Sequence, residues 1–290
     1  MYEENCEPLP PGDFAQVFAQ PLAAIAEACS TGPPARISPA NVVRWANRSL
    51  QPYLAVVCRR LLLPGSGIQG VENLVRLSEL AAGGESCIVC LNHQSNLDVP
   101  TLQVLLEDQG LADHFNRLIW IAGRKLHEDV DATHLLVQAY HQLIVSPRSW
   151  MREDHTNEEL QEAHHLNASA YRAMHRLRGA GWVFGMFPAA TRLRPQDAAT
   201  RLAIRETDSY LKRFRYLLLG RIEGCTLPVS RDRNLTHETP RLDRVRYCFA
   251  PVMLSNTWRA RAAERYPQVD QRLATSLAII ENIESIPWLV

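Results

Sequence analysis

The order of apolar and polar residues changes character along this chain. From about residue 68 onward, short apolar runs alternate with longer stretches whose apolar residues recur at helical spacing. The runs are 87–91, 118–122, 142–145, 182–187, 225–229 and 245–250. The clearest helical stretch is 157–178, which opens with a capping box formed by Thr156 and Glu159, and 268–283 is predicted to form a last amphipathic helix. This alternation predicts an α/β fold with a largely parallel mixed sheet flanked by helices.

The first 64 residues show a different, helical pattern. Residues 13–29 are rich in alanine and place apolar residues at helical spacing. Residues 38–54 begin with a serine cap and a first-turn proline, and Pro52 is predicted to kink this second helix. We therefore expect a small helical N-terminal domain at 1–64, followed by an α/β domain at 65–290.

Residues 65–70, Gly-Ser-Gly-Ile-Gln-Gly, match the spacing of the dinucleotide-binding fingerprint. That fingerprint needs a strand before it and a helix directly after it. The preceding residues have the pattern of a helix end, and residues 71–74 offer no helix cap, so we interpret the segment as a linker. The chain contains neither a P-loop pattern nor a Gly-x-Ser-x-Gly nucleophile elbow, which argues against those two classes of enzyme.

The composition of the chain limits the kinds of partner we expect and indicates the compartment. The formal net charge is zero, so we expect no nucleic-acid partner, and a charged ligand must meet a local patch. The N-terminus lacks a signal-peptide pattern, and no stretch approaches the ~20 apolar residues needed to span a bilayer. The seven cysteines fit a reducing compartment, and Cys87 and Cys90 lie in an apolar run as buried thiols without a metal. We expect a cytoplasmic protein, soluble or peripheral to the inner face of a membrane.

The most informative segment is 92–98, Asn-His-Gln-Ser-Asn-Leu-Asp, directly after the apolar run 87–91. Open α/β sheets bind their ligands at the carboxyl ends of strands. His93 and Asp98 can meet across a tight turn, where the aspartate would hold one ring N–H and leave the other nitrogen free to take a proton. A structural His–Asp pair or a helix-capping aspartate would give the same spacing, so both interpretations stay open.

Arginines follow two further apolar runs. Arg192 and Arg194 come after the run 182–187, and Arg148 comes after the run 142–145. Guanidinium groups at neighbouring strand ends can fork onto the oxygens of a phosphate. For each arginine alone a solvated surface position is the alternative, whereas the three together favour a phosphate site.

The segment 92–98 fits the signature Asn-His-x-x-x-x-Asp of the glycerophospholipid acyltransferases, and the chain resembles that family. It is most similar to the soluble, plastid-type glycerol-3-phosphate acyltransferases, over about residues 70–255. Those enzymes also carry a helical domain ahead of their α/β domain. The membrane-bound lysophosphatidate acyltransferases have Phe-Pro-Glu-Gly-Thr where residues 187–191 are Phe-Pro-Ala-Ala-Thr, which favours glycerol 3-phosphate as the acceptor.

Carried over residue by residue, the resemblance makes His93 and Asp98 the catalytic pair. It assigns substrate binding to Asn92, Arg148, Arg192 and Arg194. The last two fall where the plastid-type enzymes have Gly-Gly-Arg-x-Arg-Pro, and Arg148 falls in their Ser-Lys-Lys-His segment. The histidine of that segment is not matched, since Ser149 and Trp150 stand there.

The implied reaction is transfer of a fatty acyl group from acyl-carrier protein or acyl-coenzyme A to the sn-1 hydroxyl of glycerol 3-phosphate. It requires no cofactor beyond this acyl donor. We expect the acyl chain to lie in an apolar groove beside the helical N-terminal region. The alternatives are lysophosphatidate as the acceptor, and a phosphate- or lipid-binding module without catalysis.

Overall fold

The computed structural model of the protein describes residues 7–29, 36–128, 133–148, 151, 155–194, 196–231 and 234–288. Within these ranges nine strands form one sheet. In chain order they are β1 (Val43–Arg44), β2 (Gly67–Gln69), β3 (Cys87–Leu91), β4 (Leu118–Gly123), β5 (Gln142–Val145), β6 (Val183–Met186), β7 (Tyr216–Glu223), β8 (Arg246–Phe249) and β9 (Met253–Leu254).

Helices surround the sheet, and none of them within the described ranges is both long and apolar enough to cross a bilayer. The predicted long helix is confirmed with its capping box, in which Glu159 N donates to Thr156 Oγ1 at 3.2 Å. The helices are α1 (Phe14–Val17), α2 (Ala19–Ala28), α3 (Gln51–Leu61), α4 (Val71–Ala82), α5 (Asp98–Glu107), α6 (Ala112–Phe115), α7 (Lys125–Glu128), α8 (Thr133–Val137), α9 (Asn157–Leu177), α10 (Glu206–Leu211), α11 (Ser255–Arg265) and α12 (Gln271–Glu284).

The sheet is mixed, as the sequence predicts, and its centre is parallel. The strand order is β1-β5-β4-β6-β3-β7-β8-β2, with β9 paired to β7. Strands β5, β4, β6, β3 and β7 run parallel to one another. At the sides of this parallel centre, β1 pairs antiparallel with β5, β8 and β9 pair antiparallel with β7, and β2 pairs parallel with β8. Because parallel strands end at one edge, the segments that follow β3, β5 and β6 meet there.

Strand β3 is buried on both faces, which explains its unbroken apolar run. Its alternate residues enter two hydrophobic clusters, with Val89 on the face that packs against α3–α5 and Ile88 on the face that packs against α9–α12. Phe14 and Leu54 from the N-terminal region belong to the same cluster as Val89. The domain boundary at residue 64 stays a prediction, and the first 64 residues share part of the hydrophobic core of the sheet.

The predicted helix over 38–54 is wrong in most of its length. Val43–Arg44 instead forms the edge strand β1, which pairs with β5, and a helix begins only at Gln51. Pro52 lies in the first turn of α3, where its missing N–H costs no hydrogen bond, so it does not kink a longer helix. An edge strand of two residues is too short to produce a period-2 pattern in the sequence.

The linker interpretation of 65–70 is also wrong. Gly67–Gln69 is strand β2, and α4 begins directly after Gly70. Gly70 has φ +68°, and a Cβ there would stand 2.3 Å from the carbonyl oxygen of Phe249. The short strand lies inside the glycine pattern, whereas the dinucleotide fingerprint needs it before the pattern.

One predicted strand is displaced. Residues 225–229 lie outside the strands, and the strand of this region is β7, Tyr216–Glu223. Arg221 interrupts the apolar run 216–222, so the sequence pattern did not predict a strand there.

Candidate active site

His93 and Asp98 form a hydrogen-bonded pair at the carboxyl end of β3. The distance from His93 Nδ1 to Asp98 Oδ2 is 2.8 Å. The aspartate side chain is 4% exposed, while the histidine side chain keeps 20% of its surface open. The bond occupies Nδ1 and leaves the other ring nitrogen, Nε2, for a substrate.

The backbone of the turn between His93 and Asp98 donates further hydrogen bonds to the Asp98 carboxylate. Gln94 N donates to Asp98 Oδ2 at 2.7 Å, and Ser95 N lies 3.1 Å from both carboxylate oxygens. Asp98 is the first residue of α5, so its side chain points back over this turn. Asp98 therefore organises the turn and orients the ring of His93 at the same time.

Asn92 fastens this turn to the neighbouring strand. Its amide oxygen accepts from Ile222 N at 2.6 Å, and its amide nitrogen donates to Ile222 O at 2.9 Å. The assignment of Asn92 to substrate binding stays a prediction, because both ends of its amide bond to the backbone of β7. The described contacts give it a positioning role.

Aromatic stacking on one face of the His93 ring restricts the orientation of the ring. Phe187 lies parallel to it, with ring centroids 4.0 Å apart, and Trp120 stacks on the other side of Phe187 at 5.3 Å. Gly185 makes room for this stack, since a Cβ there would stand 2.6 Å from the Trp120 ring. The imidazole is therefore held by its edge and by one face.

The predicted arginine segment runs directly beside His93, because Leu193 N donates to His93 O at 2.8 Å. Arg192 forms an ion pair at 2.5 Å with Glu238, whose side chain is fully buried. Arg194 lies 3.7 Å from the carboxylate of Asp197 and is 23% exposed. Each guanidinium thus already has an acidic neighbour.

Arg148 lies on a different side of the site. Its Nε is 3.5 Å from Glu206 Oε1, and its side chain is 58% exposed. It lines the same cavity as His93, whereas Arg192 and Arg194 do not line that cavity. Ser149 and Trp150, which replace the expected histidine segment, lie outside the described residues.

A cavity of about 830 Å³ opens at His93. Its walls are mostly apolar and come from β4, β5, α8, α9 and the segment after β6. Six residues of α9 take part, from His164 to Met174, which corresponds to about 15 Å of helix. The described lining begins at residue 93 and includes none of the first 64 residues. The helical N-terminal region, where we expect the acyl chain, therefore does not line this cavity, and the position of the acyl chain stays a prediction.

His93 also lines a second, smaller cavity of about 450 Å³. This cavity is more polar, and Cys225 stands in its wall with its Sγ 3.5 Å from Gln94 O. Burial, with a further contribution from the charge of Asp98, raises the pKa of the Cys225 thiol to about 11. At neutral pH this residue is a neutral thiol and a poor nucleophile.

Three contacts of the site were not predicted from the sequence. Glu238 is separated from Arg192 by 46 residues and lies in an irregular segment. The bonds of Asn92 to Ile222 and the stacking of Phe187 on His93 depend on the order of strands in the sheet. The aromatic residue at the end of the run 182–187 was the one visible hint of the stack.

The chain matches the family model described as Acyltransferase over residues 67–215, just over half of its length. None of the curated proteins compared with the chain matches it. The matched range contains the pair His93–Asp98, the three arginines assigned from the sequence, and all the described residues that line the larger cavity. The match supports a lipid acyltransferase activity. By the extent of this match, the chain belongs to the acyltransferase family.

Proposed function

We propose that the protein transfers a fatty acyl group from a thioester to the sn-1 hydroxyl of glycerol 3-phosphate. The observation that carries the proposal is the oriented pair of His93 and Asp98, which opens onto a large apolar cavity. The product would be an acylated glycerol phosphate, an intermediate of phospholipid synthesis.

In the proposed reaction, His93 is the general base. Its Nε2 takes the proton from the acceptor hydroxyl while the hydroxyl oxygen attacks the thioester carbonyl carbon. The carbon–sulfur bond then breaks, and the imidazolium returns its proton to the departing thiolate. An alcohol and a thioester become an ester and a thiol, with no covalent acyl-enzyme and no cofactor.

Asp98 is proposed to hold the ring with Nδ1 protonated and to stabilise the imidazolium that forms. The backbone N–H groups of Gln94 and Ser95 support this role, because they fix the carboxylate from behind. Phe187 limits rotation of the ring by stacking on its face. A base held in this way takes the proton of the acceptor hydroxyl with little further loss of orientational freedom.

We propose that Arg148, Arg192 and Arg194 bind the acceptor's phosphate. The bond from Leu193 N to His93 O supports this, because it keeps the segment 192–194 within reach of the catalytic histidine. Glu206, Glu238 and Asp197 compete for these three guanidinium groups. Each guanidinium carries five N–H donors, so pairing with one carboxylate leaves donors for a phosphate.

The acyl chain is proposed to lie in the cavity of about 830 Å³, along α9. Its apolar walls suit an alkyl chain, and its opening at His93 suits the thioester carbonyl. Acyl-carrier protein or acyl-coenzyme A would be the donor. A lipid product also fits our expectation of a cytoplasmic protein in peripheral contact with a membrane.

A panel with purified protein tests the proposal. Glycerol 3-phosphate and lysophosphatidate are each offered with acyl-carrier protein and with coenzyme A thioesters, and ester formation is measured by mass spectrometry. Acylation of glycerol 3-phosphate supports the proposal, whereas acylation of lysophosphatidate alone assigns the alternative acceptor. Absence of turnover with every pair would indicate a non-catalytic binding module.

The His93→Ala variant tests the assigned base. We expect turnover to fall by about 10²–10⁴-fold, the usual contribution of a positioned general base. The fold should persist because the ring is partly exposed and makes one side-chain hydrogen bond. Near-normal turnover in this variant would contradict the assignment.

A further inference from the structure

The second cavity beside His93 carries a set of cations that the proposed function does not use. Arg201 comes from the turn after β6, Arg221 from β7, and Arg241 from the segment before β8. They line one cavity of about 450 Å³ together with His93. Three separate chain segments therefore bring guanidinium groups to the open side of the catalytic histidine.

These guanidinium groups keep donors for a ligand. Arg201 is exposed, and its side chain has no hydrogen bond or ion pair to any residue that the structure describes. Arg221 uses Nη1 to bond Ile286 O at 3.0 Å, which leaves its Nε and Nη2. Arg241 uses Nε and Nη2 in bonds to Cys225 O and Asp243, which leaves Nη1.

Carboxylates also lie around this cavity, and most of them are already paired. Glu223 and Glu284 line it, but Glu223 is paired with Arg246, which lies outside the lining. The carboxylate of Asp243 lies 3.4 Å from Arg241. Asp98 adds a fourth carboxylate, because it bonds to His93 and to Gln94 N of the lining. The cavity therefore offers an anion unused N–H donors rather than a net positive charge, above all those of Arg201, which has no partner in the described part of the chain.

We infer that this second cavity binds a phosphate group of one of the two substrates, with Arg201 as its principal ligand. The inference rests on the proposed acyl transfer, in which the acceptor and the thioester donor each carry a phosphate. The acceptor has it on glycerol, and the donor has it on the phosphopantetheine arm shared by acyl-carrier protein and coenzyme A. His93 lines both cavities, so an anion in the smaller one lies beside the histidine, opposite an alkyl chain in the larger one.

The test compares Arg201→Gln with Arg261→Gln. Both arginines are exposed, and neither has an ion pair with a described residue, but Arg261 lies on α11 and does not line this cavity. We measure the KM of glycerol 3-phosphate and the KM of acyl-coenzyme A for both variants. Arg201→Gln should raise one of the two values about tenfold, since a charged hydrogen bond at an exposed site has an effect at the low end of its range. Arg261→Gln should change neither value.

Substrates without the phosphate identify its source. If the donor's phosphate binds here, the Arg201→Gln penalty disappears with acyl-pantetheine as the donor. If the acceptor's phosphate binds here, the penalty remains with acyl-pantetheine and disappears with glycerol as the acceptor. KM values in Arg201→Gln that equal those of Arg261→Gln for both phosphorylated substrates would overturn the inference.

Calorimetry separates this inference from the proposed function. Coenzyme A, glycerol 3-phosphate and inorganic phosphate are titrated into wild type and into Arg201→Gln. If the protein transfers no acyl group but binds one of these anions with an affinity that depends on Arg201, the phosphate site is supported and the proposed reaction is refuted. If wild type and Arg201→Gln bind each of the three ligands with equal affinity, the inferred phosphate site is refuted, whether or not the protein transfers an acyl group.

Discussion

Replacing Asp98 with asparagine tests whether the His93–Asp98 pair works in catalysis or only in folding. The carboxylate receives three N–H donors, from His93, Gln94 and Ser95, at 2.7–3.1 Å. Asparagine has a single acceptor oxygen, so its NH₂ group must face at least one of these donors. If it faces Ser95, a backbone N–H loses its second acceptor. If it faces His93, the ring must accept at Nδ1 and carry its proton on Nε2.

Both orientations lower activity, because neither provides a negative charge for the imidazolium. We expect turnover to fall about 10³–10⁴-fold, the scale seen when an orienting aspartate becomes an amide. One poorly satisfied buried donor costs about 1–3 kcal/mol. In a chain of this size that free energy lowers Tm by about 2–6 °C.

Asp208→Asn is the matched control. Asp208 is also buried, and its carboxylate also accepts several hydrogen bonds, from Nε and Nη2 of Arg259 and from Thr275 Oγ1. It lines neither cavity at His93, so this change should lower Tm and leave turnover near the wild-type value. Turnover and thermal unfolding are measured on both variants. If Asp98→Asn kept turnover within about tenfold of wild type while Tm fell as in the control, Asp98 would be a structural residue and our reasoning would fail.

Three further changes test the arginines, the backbone and the cavity. Arg194→Ala should raise the KM for glycerol 3-phosphate by about 10–100-fold, because one charged hydrogen bond is lost, and it should leave the KM for the acyl donor unchanged. If steady-state kinetics show a change in the donor KM alone, Arg194 does not belong to the phosphate site. Ala190→Gly should raise Tm by about 1–2 °C. Ala190 has φ +53°, a left-handed conformation that costs an alanine about 1–2 kcal/mol, and the larger backbone entropy that glycine loses on folding offsets about 0.5–1 kcal/mol of this gain. An unchanged or lower Tm in calorimetry contradicts this. Ala170→Leu should shift the preferred acyl chain to shorter lengths, because Ala170 is buried in the cavity wall on α9, and an unchanged preference in a chain-length series argues against an acyl chain in that cavity.

Much of the fold follows from the sequence because its central elements have strong local patterns. Strand β3 is buried on both faces, so its apolar run matches its bounds of 87–91. Helix α9 is long and amphipathic, and its capping box marks the first turn. The short edge strands β1 and β2 were not predicted, because they depend on a neighbouring strand for their hydrogen bonds. Strand β7 was not predicted either, because Arg221 interrupts its apolar run.

The candidate site divides in the same way. The positions of His93 and Asp98 could be predicted, because five residues of spacing after a strand restrict the turn that joins them. The partners of Arg192 and Asn92 could not be predicted, since Glu238 and Ile222 lie far along the chain. Long-range ion pairs and side-chain bonds to another strand leave no periodicity in the sequence.

The sequence by itself determined the central α/β pattern and the residues that carry the proposed chemistry. Hydrophobic periodicity and turn chemistry are local properties, and they are written in consecutive residues. Only the tertiary structure decided that His93 stands between an apolar and a polar cavity, and that Arg192 pairs with Glu238 while Arg201 has no described partner. Cavities and ion pairs arise where distant segments pack together, so they depend on the order of the strands and the placement of the helices.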